Sequence, residues 1–533
     1  MASHSTNEHV FSKKKNTNNK RTLNEFDLQW IEKIPKCPIY HPTVEEFDDP
    51  LLYLQTIAPH ASKYGICKIV SPIKACVPAN VVLSKEMKGF KFETNVQPLR
   101  IGSRDPNDKF AFFKRGRKYS FKEFESMADK VFVRRFRSSD SVPSEQDFWH
   151  EMLVGRKGCS VEYGVNVEGS AFSSDPNDNL GRSKWNLKNL SRLPNSTLRL
   201  LDRVIPGITD PMLYIGMLYS MFAWHVEDHY LYSINYHHSG APKTWYGVPA
   251  DFASRFENAV LNHVYNGEEV GVSKLLAEKT TMFPPSVLLQ NNVPVYKAIQ
   301  KPGEFVITFP KAYHSGFSHG FNCGEAVNFA IGDWFPFGGE ARQSYALLRV
   351  SPIIPYEELL CKEAMLLHNL SPKKEQDLAS HFSIKLSFVC LVRFLEQDLW
   401  RLSRILRRSS SSVWSTAQDT KLCSRCYRDC YLAYLMCSSC PSYSLCLSHV
   451  WDAATDWIDC PCGNQCNALF LRDDMSTYEN VARVFEQEDR ISMEIREEMK
   501  NHEFRASSKD YTDFKLKGKS KLRGRTLKIT SNE

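Results

Sequence analysis

The sequence predicts a mixed α+β chain: a β-rich barrel or double-sheet jelly roll, set between helical segments and followed by a metal-bearing Cys-rich module. Three observations carry that prediction. From about Cys159 to Trp334, short β-rich runs are punctuated by turns such as Ser239-Gly240-Ala241-Pro242 and Pro302-Gly303, the texture of barrels and sandwiches rather than of βαβ arrays. Residues 355–407 carry Leu, Ile and Phe every three or four positions, the helical period. Nine of the sixteen cysteines crowd between Cys423 and Cys466.

Taken in order, residues 1–34 are polar and rich in Lys, Asn and Ser, a composition expected to stay disordered. Residues 35–78 form a compact apolar segment. Thr43 before Glu45 and Glu46 predicts a helix cap, the run to Ile57 a helix, and Gly65–Val70 a strand. Residues 79–158 are expected as a linker and helical insertion. Within them 84–120 are basic and broken by Gly and Pro, whereas Ser120–Phe136 and Glu145–Val154 are helical in pattern. The β-rich core spans 159–350 and a helical domain 351–412, with Ser409–Ser412 as a boundary. The Cys-rich module occupies 420–475. A helix over Met475–Lys500 then leads through 476–533 into a tail whose residues 514–528 carry seven Lys/Arg and no acid.

Lys+Arg exceed Asp+Glu by 68 to 61, a net charge of +7, which suits an acidic partner without naming one. No apolar run reaches the ~18 residues of a spanning helix, and the first residues are polar and charged. No membrane association and no secretory leader are therefore expected. In that setting clustered cysteines read as metal ligands rather than a disulfide framework.

A second metal pattern lies in MFAWHVEDHYLYSINYHHSGAPKTWYGVP. His225 and Glu227 are two residues apart, so on a strand they project from one face. A third ligand would complete a 2-His-1-carboxylate face. Such a face leaves room on non-haem Fe(II) for a bidentate cosubstrate and dioxygen. His314, in GEFVITFPKAYHSGFSHGFN, is the candidate, and His319 its rival.

Trp185–Trp334 resembles the JmjC family of Fe(II)- and 2-oxoglutarate-dependent dioxygenases, and Cys37–Pro72 resembles its JmjN companion. The pairing is similar to that of the histone lysine demethylases. The resemblance implies a double-stranded β-helix (jelly-roll, cupin-like) core and assigns iron to His225, Glu227 and His314. It implies that Lys243, in GAPKTWYG, pairs with the distal carboxylate of 2-oxoglutarate and that Tyr163, in VEYGVNVEGS, shares it. Asn235 would lie near the cosubstrate, Phe222 would form an aromatic wall and Trp245 would pack behind. Tyr214, in MLYIGMLYSMFAW, would line the methyl-lysine cage with Glu227 close by. The implied reaction hydroxylates an N-methyl group, which then leaves as formaldehyde. The attacked bond is C–H, so trimethyl-lysine is an allowed substrate.

Animal demethylases of lysines 9 and 36 of histone H3 place a Ser-Thr pair after the third ligand. FNCGEAVNFA has Ala326 and Val327 there, apolar walls for a substrate pocket. The arrangement is similar to a plant JmjN/JmjC group acting on trimethyl-lysine 27 of histone H3. Lysine 4 comes second, because the Cys-rich module resembles that of the lysine-4 enzymes. The resemblance thus implies a nuclear regulator of chromatin and transcription, with the histone H3 tail and the nucleosome as partners. An inactive JmjC scaffold or a protein hydroxylase are the alternatives. The intact ligands and Lys243 argue against the scaffold; the JmjN-like segment and Tyr214 favour demethylation over stable hydroxylation.

In the Cys-rich module the spacing is Cys423-x2-Cys426-x3-Cys430-x6-Cys437-x2-Cys440-x5-Cys446-x2-His449-x10-Cys460-x-Cys462-x3-Cys466. Repeated CxxC and CxxH knuckles suit tetrahedral Zn(II). The module resembles the five-Cys, one-His, two-Cys finger found behind JmjC domains. That resemblance implies two interleaved structural zinc sites: Cys423, Cys426, Cys446 and His449 on one, Cys437, Cys440, Cys460 and Cys462 on the other. Cys430 and Cys466 are spare, with Cys466 able to replace a neighbour. The tail FKLKGKSKLRGRTLK, and more weakly SKKKNTNNKR near the start, read as import signals or as sequence-independent contacts to DNA phosphates.

Overall fold

The computed structural model describes residues 27–101, 114–136, 143–156, 158–265, 272–370, 378–406, 413–417, 419–437, 440–449 and 468–507. Of the segment 1–34 expected to be disordered, 1–26 lie outside them, whereas 27–34 are ordered: Trp30–Lys33 forms a helical turn and Ile31 and Ile34 are buried in the core. The boundary at Ser409–Ser412 and the basic tail also lie outside the described residues.

The turn at Ser239-Gly240-Ala241-Pro242 decides the architecture. Gly240 sits at φ 93°, where a side chain would be strained, and an added Cβ would meet the Phe321 carbonyl at 2.2 Å. The chain leaves strand Tyr232–Gly240 in one sheet and enters Lys243–Val248 in another. The first sheet has nine strands, in the order Ile39–Tyr40, Ile66–Val70, Glu304–Thr308, Tyr232–Gly240, Asn322–Phe329, Met212–Gly216, Ser160–Glu168, Phe92–Pro98 and Lys114–Tyr119. The second has four: Tyr296–Gln300, Lys243–Val248, Tyr313–Ser318 and Met221–His225. Among the described residues, all pairings within these two sheets are antiparallel except the one between Ile39–Tyr40 and Ile66–Val70. Trp245 of the small sheet packs with Ile66 and Val306 of the large one. The two sheets thus form the double-sheet core expected from the sequence. On the large sheet's other face Ile234, Tyr236, Phe305, Val327 and Phe329 join a core with Trp185 and the later helices, following the period-2 alternation of strands.

Two expectations within residues 35–120 are corrected. The helix expected from Thr43 begins instead at Pro50 and runs to Ala61. Thr43 and Glu46 do exchange capping hydrogen bonds, at 2.8 and 3.2 Å, but they close a lone turn. Asp49 before Pro50 is extended (φ −122°, ψ 109°) and caps Leu51 and Leu52 with its side chain, because proline disfavours a helical predecessor and tolerates the first helical position. The stretch 84–120, expected as a linker or insertion, supplies strands Phe92–Pro98 and Lys114–Tyr119, which extend the large sheet. Its charges obscured the alternation because Lys114–Tyr119 is an edge strand, where basic residues are common. Glu162 ties that edge down, accepting from Thr94, Arg117 and Tyr119.

Behind the sheets, helices Phe335–Leu348, Tyr356–His368 and Leu378–Leu406 pack with Met475–Glu486 and Asp489–Ser507. The single helix expected over Met475–Lys500 is thus two, with a break at Gln487-Glu488. The Cys-rich module contributes a four-stranded sheet that includes Ala433–Met436 and Ala468–Arg472. Among the described residues no helix is long and apolar enough to cross a membrane.

The 35–78 segment docks on the core through Phe47, whose ring stacks on Trp185 at 4.2 Å and whose carbonyl accepts from the Trp185 indole at 2.6 Å. Trp185→Ala is expected to cost about 3–5 kcal/mol and lower the melting temperature. An unchanged thermal transition would show that the segment is held by other contacts.

Candidate active site and metal centres

His314 on Tyr313–Ser318 is the direct cross-strand partner of His225 on Met221–His225. Opposed residues of an antiparallel pair share a face, so the two imidazoles are brought together by register alone, with ring centroids 4.2 Å apart. Each is oriented by its own strand: Nδ1 of His225 lies 2.8 Å from the Ala223 carbonyl and Nδ1 of His314 lies 3.0 Å from the Ala312 carbonyl. A carbonyl only accepts, so Nδ1 carries the proton and each Nε2 presents a lone pair, the tautomer a metal ligand requires.

The strand ends at His225, but the chain stays extended to Glu227 (φ −68°, ψ 152°), which keeps the i, i+2 relation. The Glu227 carboxylate lies 4.0 Å from His225 Nε2 and 3.4 Å from His314 Nε2, and all three ligand atoms fall within 4.8 Å of one another. Burial and the neighbouring His314 push the His225 imidazole down to about 3. Burial opposes the charge of Glu227, yet His314, His225 and Lys279 hold its carboxyl below the usual range. A neutral imidazole and an ionised carboxylate are what a divalent cation needs. His319 stands apart, one nitrogen with Thr244 Oγ1 at 2.7 Å and the other with the Pro143 carbonyl at 3.0 Å. Gly316 follows a register shift after His314. A Cβ there would meet the Thr244 carbonyl at 2.1 Å and the Phe222 ring at 2.4 Å, so this close strand approach requires glycine.

A second set of polar groups converges beside the triad. Lys243 is buried, and its Nζ donates to the Tyr163 hydroxyl at 3.3 Å. A Cβ added to Gly324 would sit 3.2 Å from Lys243 Nζ and 3.7 Å from Asn235 Oδ1. The missing side chain therefore opens a cradle onto an ammonium, an amide and, through Lys243, a phenol. Burial pushes Lys243 down to about 8 and the Tyr163 hydroxyl up. A buried cation with no carboxylate partner among the described residues, facing space that a methyl group would fill, fits one end of a small dicarboxylate. The Phe222 and Trp245 rings pack 4.5 Å apart, and Trp245 lies 6.3 Å from His314 while its indole N–H donates to Gln300.

Tyr214 is half-buried, donates to Asn166 Oδ1 at 2.8 Å, and has its ring 6.5 Å from that of Tyr163. Burial and the charges of Glu227 and Asp228 push its hydroxyl up. Ala326 is the cross-strand partner of Asn235 and shares its face. Val327, expected beside it in the pocket, pairs with Ile234 and belongs to the core on the opposite side. Adjacent strand residues point to opposite faces, so the two cannot line one pocket. Sequence reasoning missed Gly324, Asn166 and Lys279. Lys279 Nζ donates to Asp228 Oδ2 at 3.2 Å and its charge reaches Glu227. No local pattern marks a lone lysine brought in from a distant segment.

In the Cys-rich module Cys423, Cys426, Cys446 and His449 come together as one group. Nδ1 of His449 lies 3.4 Å from Cys423 Sγ and 3.1 Å from Cys446 Sγ, and the Cys426 and Cys446 sulfurs are 3.9 Å apart. Three thiols and an imidazole at such separations fit tetrahedral zinc. Cys430 is outside this group, its thiol 3.6 Å from the Arg428 carbonyl. Of the second expected set, Cys437 and Cys440 are described, whereas Cys460 and Cys462 lie outside the described residues, as does Cys466.

Residues 212–329 match the family described as JmjC domain, hydroxylase, and residues 38–71 match the jmjN domain. These two segments are thus similar to JmjN and JmjC domains, and a JmjC hydroxylase domain implies Fe(II) and 2-oxoglutarate. Three similar relatives are plant proteins. The chain is 52% identical over 496 residues to lysine-specific demethylase JMJ706 of Oryza sativa subsp. japonica, covering 89% of this chain and 57% of that protein. It is 36% identical over 427 residues to lysine-specific demethylase JMJ705 of the same plant, covering 72% of this chain and 33% of the relative. The figure for lysine-specific demethylase REF6 of Arabidopsis thaliana is 36% over 374 residues, covering 62% and 27%. The chain thus spans at most 57% of the length of these relatives.

Cys423→Ser is expected to release zinc, measured by elemental analysis, and to strip hydrogen-exchange protection from 419–437 and 440–449 before the nine-stranded sheet and its four-stranded partner. Retention of the full zinc content would remove Cys423 from the ligand set.

Proposed function

We propose that this chain is an Fe(II)- and 2-oxoglutarate-dependent dioxygenase that demethylates lysine on the histone H3 tail, trimethyl-lysine 27 first, in nuclear chromatin. The observation that carries the reading is the cross-strand triad of His225, Glu227 and His314 opening onto the Lys243 cradle. Bound iron with 2-oxoglutarate and dioxygen supplies the oxidant that hydroxylates an N-methyl C–H bond, with succinate and carbon dioxide released and the hydroxymethyl group leaving as formaldehyde.

The chain's residues prepare that chemistry. His225 and His314 offer Nε2 and keep their protons on the backbone-bound Nδ1. Glu227 supplies the anionic ligand. Lys243 and Tyr163 hold the far carboxylate, and Asn235 flanks it. Phe222 and Trp245 seal the side away from the substrate, which keeps the reacting centre dry. Tyr214 presents an aromatic face and an oxygen to a quaternary ammonium, and Ala326 adds apolar bulk without demanding an N–H partner. These features favour trimethyl-lysine over monomethyl-lysine. They do not select the lysine; position 27 rests on similarity to the plant group, and the relatives' names specify lysine alone. Two structural zinc ions are proposed for the Cys-rich module, the second on Cys437, Cys440, Cys460 and Cys462. Partners follow from the substrate: the nucleosome, with DNA phosphates for the basic tail. Equal mixtures of H3 peptides trimethylated at lysines 4, 9, 27 or 36, followed by mass spectrometry, are expected to show fastest loss of methyl at lysine 27. Faster turnover at lysine 4 would replace the substrate and leave the chemistry standing; no methyl loss from any peptide would overturn the reading.

Lys243→Ala leaves the cosubstrate carboxylate without its buried partner, a loss of about 3–5 kcal/mol and thus roughly two to three and a half decades in 2-oxoglutarate affinity. An unchanged affinity would mean that another cation binds it. The pH dependence has a definite sign. Lys243 in the free pocket titrates at about 8; above that pH the carboxylate must bind with uptake of a proton. Apparent affinity is therefore expected to weaken above pH 8, approaching about tenfold per unit. Calorimetry on Mn(II)-loaded protein measures this, and an affinity independent of pH in that range would contradict it.

A further inference from the structure

We infer that the Cys-rich module braces the turn that presents Glu227, acting through Asp429, Arg342 and Tyr345; the inference rests on the metal-binding role proposed for Glu227. After Glu227 the chain enters a turn in which His229 and Tyr230 both sit at φ 53°, a left-handed conformation that non-glycine residues keep only when their surroundings impose it. Helix Phe335–Leu348 supplies that constraint. The Tyr345 hydroxyl accepts from the His229 backbone N–H at 3.3 Å and lies 3.5 Å from Asp228 Oδ1, and its ring stacks on His229 at 4.5 Å. Ser344 Oγ lies 3.3 Å from the Tyr230 hydroxyl. His229 Nε2 accepts from the Ile353 and Ile354 N–H groups at 2.9 and 3.4 Å, which ties the turn to the chain leaving the same helix.

One turn earlier on that helix, Arg342 is clamped by the Cys-rich module. Its Nε donates to Asp429 Oδ1 at 2.8 Å, and its Nη2 donates to the Asp429 carbonyl at 2.7 Å and to Glu357. Asp429 Oδ2 accepts from the Glu357 N–H at 2.8 Å, and Glu357 in turn accepts from the Tyr431 N–H at 2.8 Å. Asp429 is 1% exposed. It directly follows Arg428, whose carbonyl accepts from the Cys423 N–H at 2.8 Å and so closes the knuckle that holds two of the thiols. In so closely bonded a charge cluster, centred on buried Asp429, a shift of one member is passed to its neighbours. The position of the zinc knuckle is thereby transmitted to the helix and on to the residue following Glu227.

Mn(II) titration of the full chain by calorimetry, with electron paramagnetic resonance of the bound ion, tests this without turnover. Tyr345→Phe keeps the stacked ring and removes the hydroxyl; it is expected to raise the Mn(II) dissociation constant roughly three- to tenfold. Asp429→Asn, outside the ligand set, is expected to raise it as well. The two effects combined should fall short of their product, because both act along one chain of contacts. Lys385→Ala, which removes a distant ion pair with Glu488, should leave the constant unchanged. Tyr345→Phe binding Mn(II) as tightly as the unmodified chain would overturn the inference even if Asp429→Asn does not fold, as would fully multiplicative effects. If the unmodified chain binds no Mn(II), the proposed function itself falls, and the brace with it.

Discussion

The pairing of His225 with His314 across two antiparallel strands is the constraint from which the site follows. Register places the imidazoles on one face, and the carbonyls two residues earlier in the chain, of Ala223 and Ala312, fix both tautomers. Neither histidine depends on a flexible loop for its aim. The remaining demands are local: Gly316 must be glycine because the strands approach too closely for a Cβ, and Glu227 must stay extended beyond the strand's end. A preformed set of ligands loses little conformational entropy when metal binds.

The cost of this geometry falls on the turn after Glu227 and on the pocket floor. Two consecutive left-handed residues must be held from outside the sheets, which gives the packed helices and the Cys-rich module a reason to abut the core. In the pocket, Gly324 trades packing for space, and Lys243 keeps a buried charge that its surroundings disfavour. Such departures from the most stable arrangement gather where a ligand is to be received.

Much of the site was legible because its chemistry sits in short spacings. His225 and Glu227 are two apart, the Cys423, Cys426, Cys446 and His449 knuckles are each three or fewer apart, and Lys243 follows a marked turn. The choice between His314 and His319 was not legible, since both lie in the same segment; only register and the Thr244 contact separate them. Val327 was misplaced for lack of the strand's phase relative to the pocket. The capping pattern at Thr43 points to a helix start that the conformational demands of Pro50, seven residues on, move to Asp49-Pro50. The edge strand Lys114–Tyr119 was hidden by its charge. Lys279 and Asn166 reach the site through tertiary contacts that leave no local pattern.

The most direct test of this account is anomalous diffraction from crystals holding Mn(II) and 2-oxoglutarate. The account predicts one manganese peak bonded to His225 Nε2, His314 Nε2 and the Glu227 carboxylate, with the cosubstrate's far carboxylate on Lys243 and Tyr163. A peak coordinated by His319, or a cosubstrate that leaves Lys243 untouched, would contradict it.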